Sequence, residues 1–164
     1  MKKVSILICC VLILQMLGAC SSQKEELQEP VNFYYCNKEI AYNTDSGVIS
    51  AEIREGSGFT ESLNKLLTVF LLGPKDNTLY SLIPSDVTLV SCEMGDNQVR
   101  VVFDEKFAHL SGIDLSLACS ALLLTIRDYT GVDTLIVSAK NAQLNEKDQF
   151  KISIDDIVLM DTSK

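Results

Sequence analysis

The chain has 164 residues, of which 47% are hydrophobic and 22% are charged, a composition typical of one folded domain. The content of only eight Gly and three Pro excludes a disordered tail, a collagen-like chain and a low-complexity linker. The formal net charge of −8 argues against nucleic-acid binding, and the single His narrows the range of metal and acid–base chemistry.

The first segment, residues 1–19, has the organisation of a secretory signal peptide. Lys2 and Lys3 precede an apolar stretch, 4–17, that is too short to span a bilayer comfortably. Its removal takes away two lysines and no acidic residue, so the formal charge of the mature chain becomes −10. A surface this acidic is repelled by anionic lipids, so membrane attachment would depend on a lipid anchor.

The end of this segment carries a more specific signal. The tetrad Leu17-Gly18-Ala19-Cys20 resembles the lipobox of bacterial lipoproteins. That resemblance implies cleavage between Ala19 and Cys20 and acylation of the Cys20 thiol, with residues 20–30 forming a lipidated tether. The alternatives are an ordinary signal peptide in which Cys20 occurs by chance, and an uncleaved anchor.

The first half of the remaining chain predicts two strands and a helix. Residues 31–36 are β-branched and aromatic, and residues 48–53 follow a polar turn, which is typical of strands. Apolar residues then recur at helical spacing over 59–71. Gly73 and Pro74 predict the end of that helix, since Gly accepts a left-handed cap and Pro cannot continue the ladder.

The second half predicts a hairpin, a buried helix and two further strands. The hairpin joins 87–92 to 98–103, and an apolar helix over 115–126 ends at Gly131. Ser111 and Asp114 have the spacing of a capping box before that helix. Strands are expected at 134–138 and 150–154, separated by a polar loop over 141–149.

The order of these elements predicts an α+β fold. We expect a two-layer sandwich in which two helices pack on one face of a small mixed sheet. The predicted domain covers residues 31–155, and residues 156–164 form a tail without an assigned structure.

Three cysteines remain in the mature domain, namely Cys36, Cys92 and Cys119. They show neither CxxC spacing nor a Cys/His pattern, so a zinc site is not expected. Each lies in an apolar segment, which favours buried structural thiols. A single disulfide is the alternative, and the sequence does not select its pair.

Three stretches of the chain resemble a known domain family. They are 71–74 with 79–84 (LLGP and LYSLIP), 101–107 (VVFDEKF) and 124–132 (LTIRDYTGV). These are similar to the helix end, strand exit and second helix end of the GerMN domain, the sporulation and spore germination domain. The resemblance covers about residues 31–140. It implies a compact α+β fold similar to the ring-building domains of envelope-spanning assemblies.

The resemblance implies a lipoprotein on the extracytoplasmic face of the cell membrane. Its single GerMN-like domain would act as a non-enzymatic adaptor or assembly module for other envelope proteins, in some family members during sporulation or germination. The alternative is a small ligand-binding lipoprotein that recognises a cell-wall glycan or peptide. A hydrolase ranks below both, and neither cofactor nor metal is expected.

The residues themselves offer no catalytic constellation. His109 lacks a recognisable nucleophile motif, and the acidic pairs, such as Asp104-Glu105, point to opposite faces if they lie on strands. Any partner should contact the sheet face or edge that the helices leave uncovered. Tyr34 on the first strand and Glu52 on the second are the candidate residues for that surface.

Overall fold

The structure is a computed structural model that describes residues 30–39, 47–55 and 62–157. The predicted signal peptide, the lipobox with Cys20 and the tether up to residue 29 lie outside these residues, as do residues 158–164 of the tail. Among the helices that are described, none is long and apolar enough to cross a bilayer.

The described ranges contain seven strands and two α-helices. Their bounds are β1 Val31–Asn37, β2 Ile49–Arg54, α1 Leu63–Leu71, β3 Leu79–Tyr80, β4 Leu89–Met94, β5 Gln98–Phe103, α2 Gly112–Thr130, β6 Thr134–Ala139 and β7 Phe150–Ser153. Short 3₁₀ helices occupy Glu105–His109 and Ile154–Asp156. The predicted α+β class is confirmed.

The strands form two sheets, where the sequence predicted a single mixed one. The first sheet is antiparallel in the order β2-β1-β3, and the second has the order β4-β5-β6-β7 with β5 and β6 parallel. The separation has a physical reason at the edge of β1. There β3 pairs only with Cys36 and Asn37, and the N–H groups of Asn32 and Tyr34 donate to the side chains of Asp128 and Thr125 in α2 instead of to a strand of the second sheet.

Both helices end where the glycines predict. Gly73 and Gly131 have φ angles of 81° and 77°, the left-handed region that Gly enters most readily. The start of α2 differs from its prediction, because Ser111 is the N-cap residue but its side chain makes no capping hydrogen bond. The Gly112 N–H of the same turn donates instead to the Asn145 side chain at 3.4 Å. A capping box occurs at Ser153.

One hydrophobic core joins the two sheets and the two helices. Helix α2 lies at its centre, and every residue from Ala118 to Ile126 is buried. Its neighbours include β1 of the first sheet and β6 and β7 of the second. The nearly all-round apolar pattern of this helix therefore reflects packing on several sides, as the sequence predicted.

Candidate docking surface

The first sheet has one face that packs into the core and one that is open to solvent. Phe33 and Tyr35 of β1 point into the core, and the strand register places the intervening residues on the opposite side. We call this second side the open face, defined by Tyr34, Ile49, Ala51, Ile53 and Tyr80. Cys36 lies on the same side but is buried, and Tyr34 and Ile49 are half-buried. Ile53 is 68% exposed and Tyr80 is 37% exposed. The open face therefore presents apolar and aromatic side chains without a charged residue among the five.

Tyr34 contributes its ring to this face while its backbone is engaged elsewhere. Its N–H donates to the Thr125 hydroxyl at 2.9 Å, and its side chain is half-buried. Burial and the Asp128 carboxylate raise the pKa of the Tyr34 phenol, and the Arg127 charge partly offsets them. Any contact made by Tyr34 would thus use the neutral ring, because its backbone N–H is already bonded.

Glu52 lies on the core-facing side of the same sheet, opposite the open face. One carboxylate oxygen accepts a hydrogen bond from the Arg54 guanidinium, and the other accepts bonds from the N–H groups of Lys75 and Asp76, both at 2.8 Å. Only 10% of the Glu52 side chain is exposed. The carboxylate holds the turn after α1 against β2, which is a structural role.

The same contacts decide the protonation of Glu52. Burial alone would raise the pKa of its carboxyl. The hydrogen bonds from Asp76, Arg54 and Lys75, together with the Arg54 charge, outweigh burial and hold that pKa below its usual value. Glu52 is therefore ionised wherever the domain is folded near neutral pH.

Arg54 is the centre of this network and was not singled out from the sequence. Its guanidinium lies 4.5 Å from the centre of the Phe33 ring and donates to the Gly73 carbonyl at 2.8 Å. Tyr35 stacks on Phe70 and donates to its carbonyl at 2.9 Å, which fixes the last turn of α1. The i, i+2 spacing of Glu52 and Arg54 in a strand, which puts both on one face, was the available signal.

Comparisons with known proteins identify the fold. No protein-family profile matches the sequence, and no curated protein matches it. The structure of the tandem GerMN domains of the sporulation protein GerM from Bacillus subtilis aligns with a TM-score of 0.52 and 22% identity, over 83% of this chain and 48% of that chain. The first GerMN domain of that protein aligns with a TM-score of 0.53 and 11% identity, over 74% and 92%.

The chain has a GerMN-like fold. It spans about half the length of the tandem structure and nearly all of the single-domain one, which corresponds to one GerMN-like domain. Two of the three stretches that carried the resemblance lie at the helix ends Gly73-Pro74 and Gly131-Val132, where they terminate α1 and α2. The third, 101–107, runs from the end of β5 into the following 3₁₀ helix.

A small cavity beside the first sheet of the GerMN-like domain bears on the ligand-binding alternative. It measures about 10 Å³ and is lined in part by Cys36, Tyr80 and Ala118. That volume accommodates about one water molecule, whereas small-molecule sites are on the order of 300–1,000 Å³. This cavity is therefore too small for a sugar or a peptide side chain.

The three cysteines of the described domain are free thiols. Burial raises the pKa of Cys36 and of Cys92 to about 11, with smaller contributions from the charges of Asp114 and Glu93 respectively. Burial alone raises the pKa of Cys119 to about 12. All three are thus protonated and weakly nucleophilic at neutral pH, as expected of structural thiols.

The remaining polar candidates are either exposed or hydrogen-bonded to nearby residues. His109 is exposed at the end of a 3₁₀ helix. Asp104 accepts hydrogen bonds from the N–H and hydroxyl of Thr88, and Asp156 accepts them from Ser153. Within the described ranges, no three His, Cys, Asp or Glu side chains come together as metal ligands would.

Proposed function

We propose that this chain is a lipid-anchored protein of the cell envelope whose GerMN-like domain acts as a non-enzymatic adaptor. The observation that carries the proposal is the open face, a group of exposed and half-buried apolar and aromatic side chains on one side of a three-stranded sheet. Exposed apolar patches are characteristic of protein-interaction sites. The occupant would be another envelope protein.

The predicted lipid on Cys20 gives this surface its setting. A domain tethered at the extracytoplasmic face meets membrane proteins at a raised effective concentration, so a small contact surface can suffice. The aligned structures come from a sporulation protein. A role in sporulation or germination is therefore one form of the proposal, and the sporulation efficiency of a deletion strain would test it.

The adaptor proposal is tested by removing the two aromatic rings of the open face. The double variant Tyr34→Ser, Tyr80→Ser should lose most of the envelope proteins that the wild-type chain captures after crosslinking in intact membranes. The matched control is Met94→Ser, which removes an exposed apolar side chain from the second sheet. Equal capture by all three proteins, with melting temperatures showing that each is folded, would contradict the proposal.

A further inference from the structure

Strand β2 forms an edge of the first sheet, and the hydrogen bonds made by β1 show which residues of β2 carry free N–H and C=O groups. The N–H groups of Asn32 and Tyr34 point away from β2, because they donate to α2. The bonds between β1 and β2 therefore run through the alternate residues, which include Glu52 opposite Phe33. On β2, the outward-pointing N–H and C=O groups belong to Ile49, Ala51 and Ile53.

Among the residues that the structure describes, this edge shows none of the features that usually prevent strands from pairing with another chain. Natural edges carry Lys, Pro or a bulge, or are covered by another element. The outward residues of β2 are Ile, Ala and Ile, and in the described part of the chain no strand pairs with this side of β2. The two charges of the strand, Glu52 and Arg54, are bonded to each other on the core-facing side.

We propose that β2 pairs with β2 of a second copy of this chain, antiparallel about a two-fold axis at Ala51. Ala51 then lies opposite its own counterpart, and Ile49 lies opposite Ile53 of the second copy. All three outward residues fall in hydrogen-bonded positions, which gives about six interchain bonds. The same register places apolar side chains opposite apolar side chains on the open face.

An axis at Ala51 is more favourable than an axis at Glu52. Shifting the axis to Glu52 places the two Glu52 carboxylates opposite each other, and like charges in directly opposed positions destabilise a strand pair. The axis at Ala51 places Glu52 opposite Ser50 of the second copy. With its axis at Ala51 the strand is therefore self-complementary, which favours a second copy over an unrelated extended segment as its occupant.

The paired form has a consequence for the open face. The first sheets of the two copies join into a single sheet of six strands, in the order β3-β1-β2-β2-β1-β3, and their open faces become continuous. A docking surface of doubled area would then face one partner. This consequence rests on the proposed adaptor function, whereas the strand pairing does not.

The tether length is compatible with two copies in one membrane. In the pair, the two Val31 positions lie about 25 Å apart, from a rise of about 3.3 Å per residue and a strand spacing of about 4.8 Å. Eleven peptide units separate Cys20 from Val31 in each chain, a reach of up to about 36 Å when extended. Both lipids can therefore enter the same bilayer.

The first test is crosslinking of the full-length protein in its own membranes. Opposed residues in hydrogen-bonded positions have Cα atoms about 5.5 Å apart, a separation that a disulfide can bridge. With copper phenanthroline as the oxidant, Ala51→Cys should give a disulfide-linked dimer. Ile113→Cys, whose native side chain is 73% exposed, is the control for random collision. Dimer yields that are equal in the two variants would overturn the proposal.

The second test disrupts the pair in the detergent-solubilised full-length protein. Ala51→Lys places two ammonium groups beside the two-fold axis and should weaken the dimer more than about tenfold by sedimentation velocity. Ile113→Lys should leave the dimer as in the wild type, and circular dichroism should show that both variants are folded. A wild-type monomer, or an Ala51→Lys dimer of wild-type strength, would contradict the pairing. The adaptor function is tested separately by the Tyr34→Ser, Tyr80→Ser variant, which leaves β2 unchanged.

Discussion

The Thr125 hydroxyl accepts a hydrogen bond from the Tyr34 N–H at 2.9 Å and donates one to the Ala121 carbonyl at 3.0 Å. One buried side chain of α2 thus occupies the position that a neighbouring strand would otherwise take beside β1. This contact occupies part of the β1 edge that β3 does not cover, and it attaches the first sheet to the central helix.

Thr125→Val should destabilise the domain because it retains the shape of the side chain but removes the acceptor of the Tyr34 N–H. A buried donor without a partner costs about 1–3 kcal/mol. Thr68→Val is the matched control. Thr68 is exposed and its hydroxyl also donates to the carbonyl four residues earlier. Urea denaturation of both variants checks the prediction, and equal losses of stability would show that the edge contact is unimportant.

Leu122→Asp should be among the most damaging single substitutions in the domain. Leu122 has 0% exposure, and a buried carboxylate without a partner costs several kcal/mol of a total stability of about 5–15 kcal/mol. Ile113→Asp on the same helix should have little effect, since that side chain is largely exposed. Thermal unfolding followed by circular dichroism gives the comparison. An unchanged melting temperature for Leu122→Asp would contradict the central position of α2.

The Glu52 network predicts how stability depends on pH. Because the folded state holds the pKa of Glu52 below its usual value of 4.5, the carboxylate contributes stability above that value. The contribution is lost as the pH falls through the lowered pKa. Glu52→Gln should therefore be less stable than the wild type by about 1–3 kcal/mol at pH 7. The difference in the free energy of unfolding between the two proteins should become smaller in acid, below about pH 4.

Urea titrations of the wild type and Glu52→Gln between pH 7 and acid measure this change in the stability difference. Asp76, Asp104 and Asp156 also have lowered carboxyl pKa values, but both proteins retain them, so the difference isolates Glu52. Glu93→Gln, at an exposed position on β4, should follow the wild type throughout. A constant difference between wild type and Glu52→Gln at all pH values would refute the assignment.

The predicted anchor is tested by Cys20→Ala. Without the thiol that would receive the lipid, the protein should stay unprocessed or be shed in soluble form. Fractionation of cells and mass spectrometry of the mature N-terminus provide the measurement. A mature wild-type protein that begins with an unmodified residue other than Cys20 would refute the lipobox assignment.

Local patterns in the sequence predicted most of the elements, since a strand, a hairpin or a helix end depends on nearby residues. The helix stops at Gly73 and Gly131 are examples, because each requires one residue in a left-handed conformation. The division into two sheets could not be predicted in this way. It depends on Thr125 meeting Tyr34 across 91 positions of the chain, and a hydroxyl in an apolar helix gives no sign of its partner.

The candidate surface was also predicted only in part. The alternation of β1 separated Tyr34 from Tyr35, and the structure places the two on opposite faces of the sheet. The position of Glu52 depends on Arg54 and on the turn at Lys75 and Asp76, which only the folded chain brings together. Side-chain contacts between distant elements thus decide which strand residues remain exposed.

Photo-crosslinking in living cells from position 34 tests the adaptor function most directly. A photoreactive residue there should capture a specific envelope protein, and the same residue at the control position Met94 should not. The opposite result would be adducts with lipid or with copies of this chain alone, together with micromolar binding of muropeptides by the purified protein. That outcome would contradict the adaptor function and support the ligand-binding alternative.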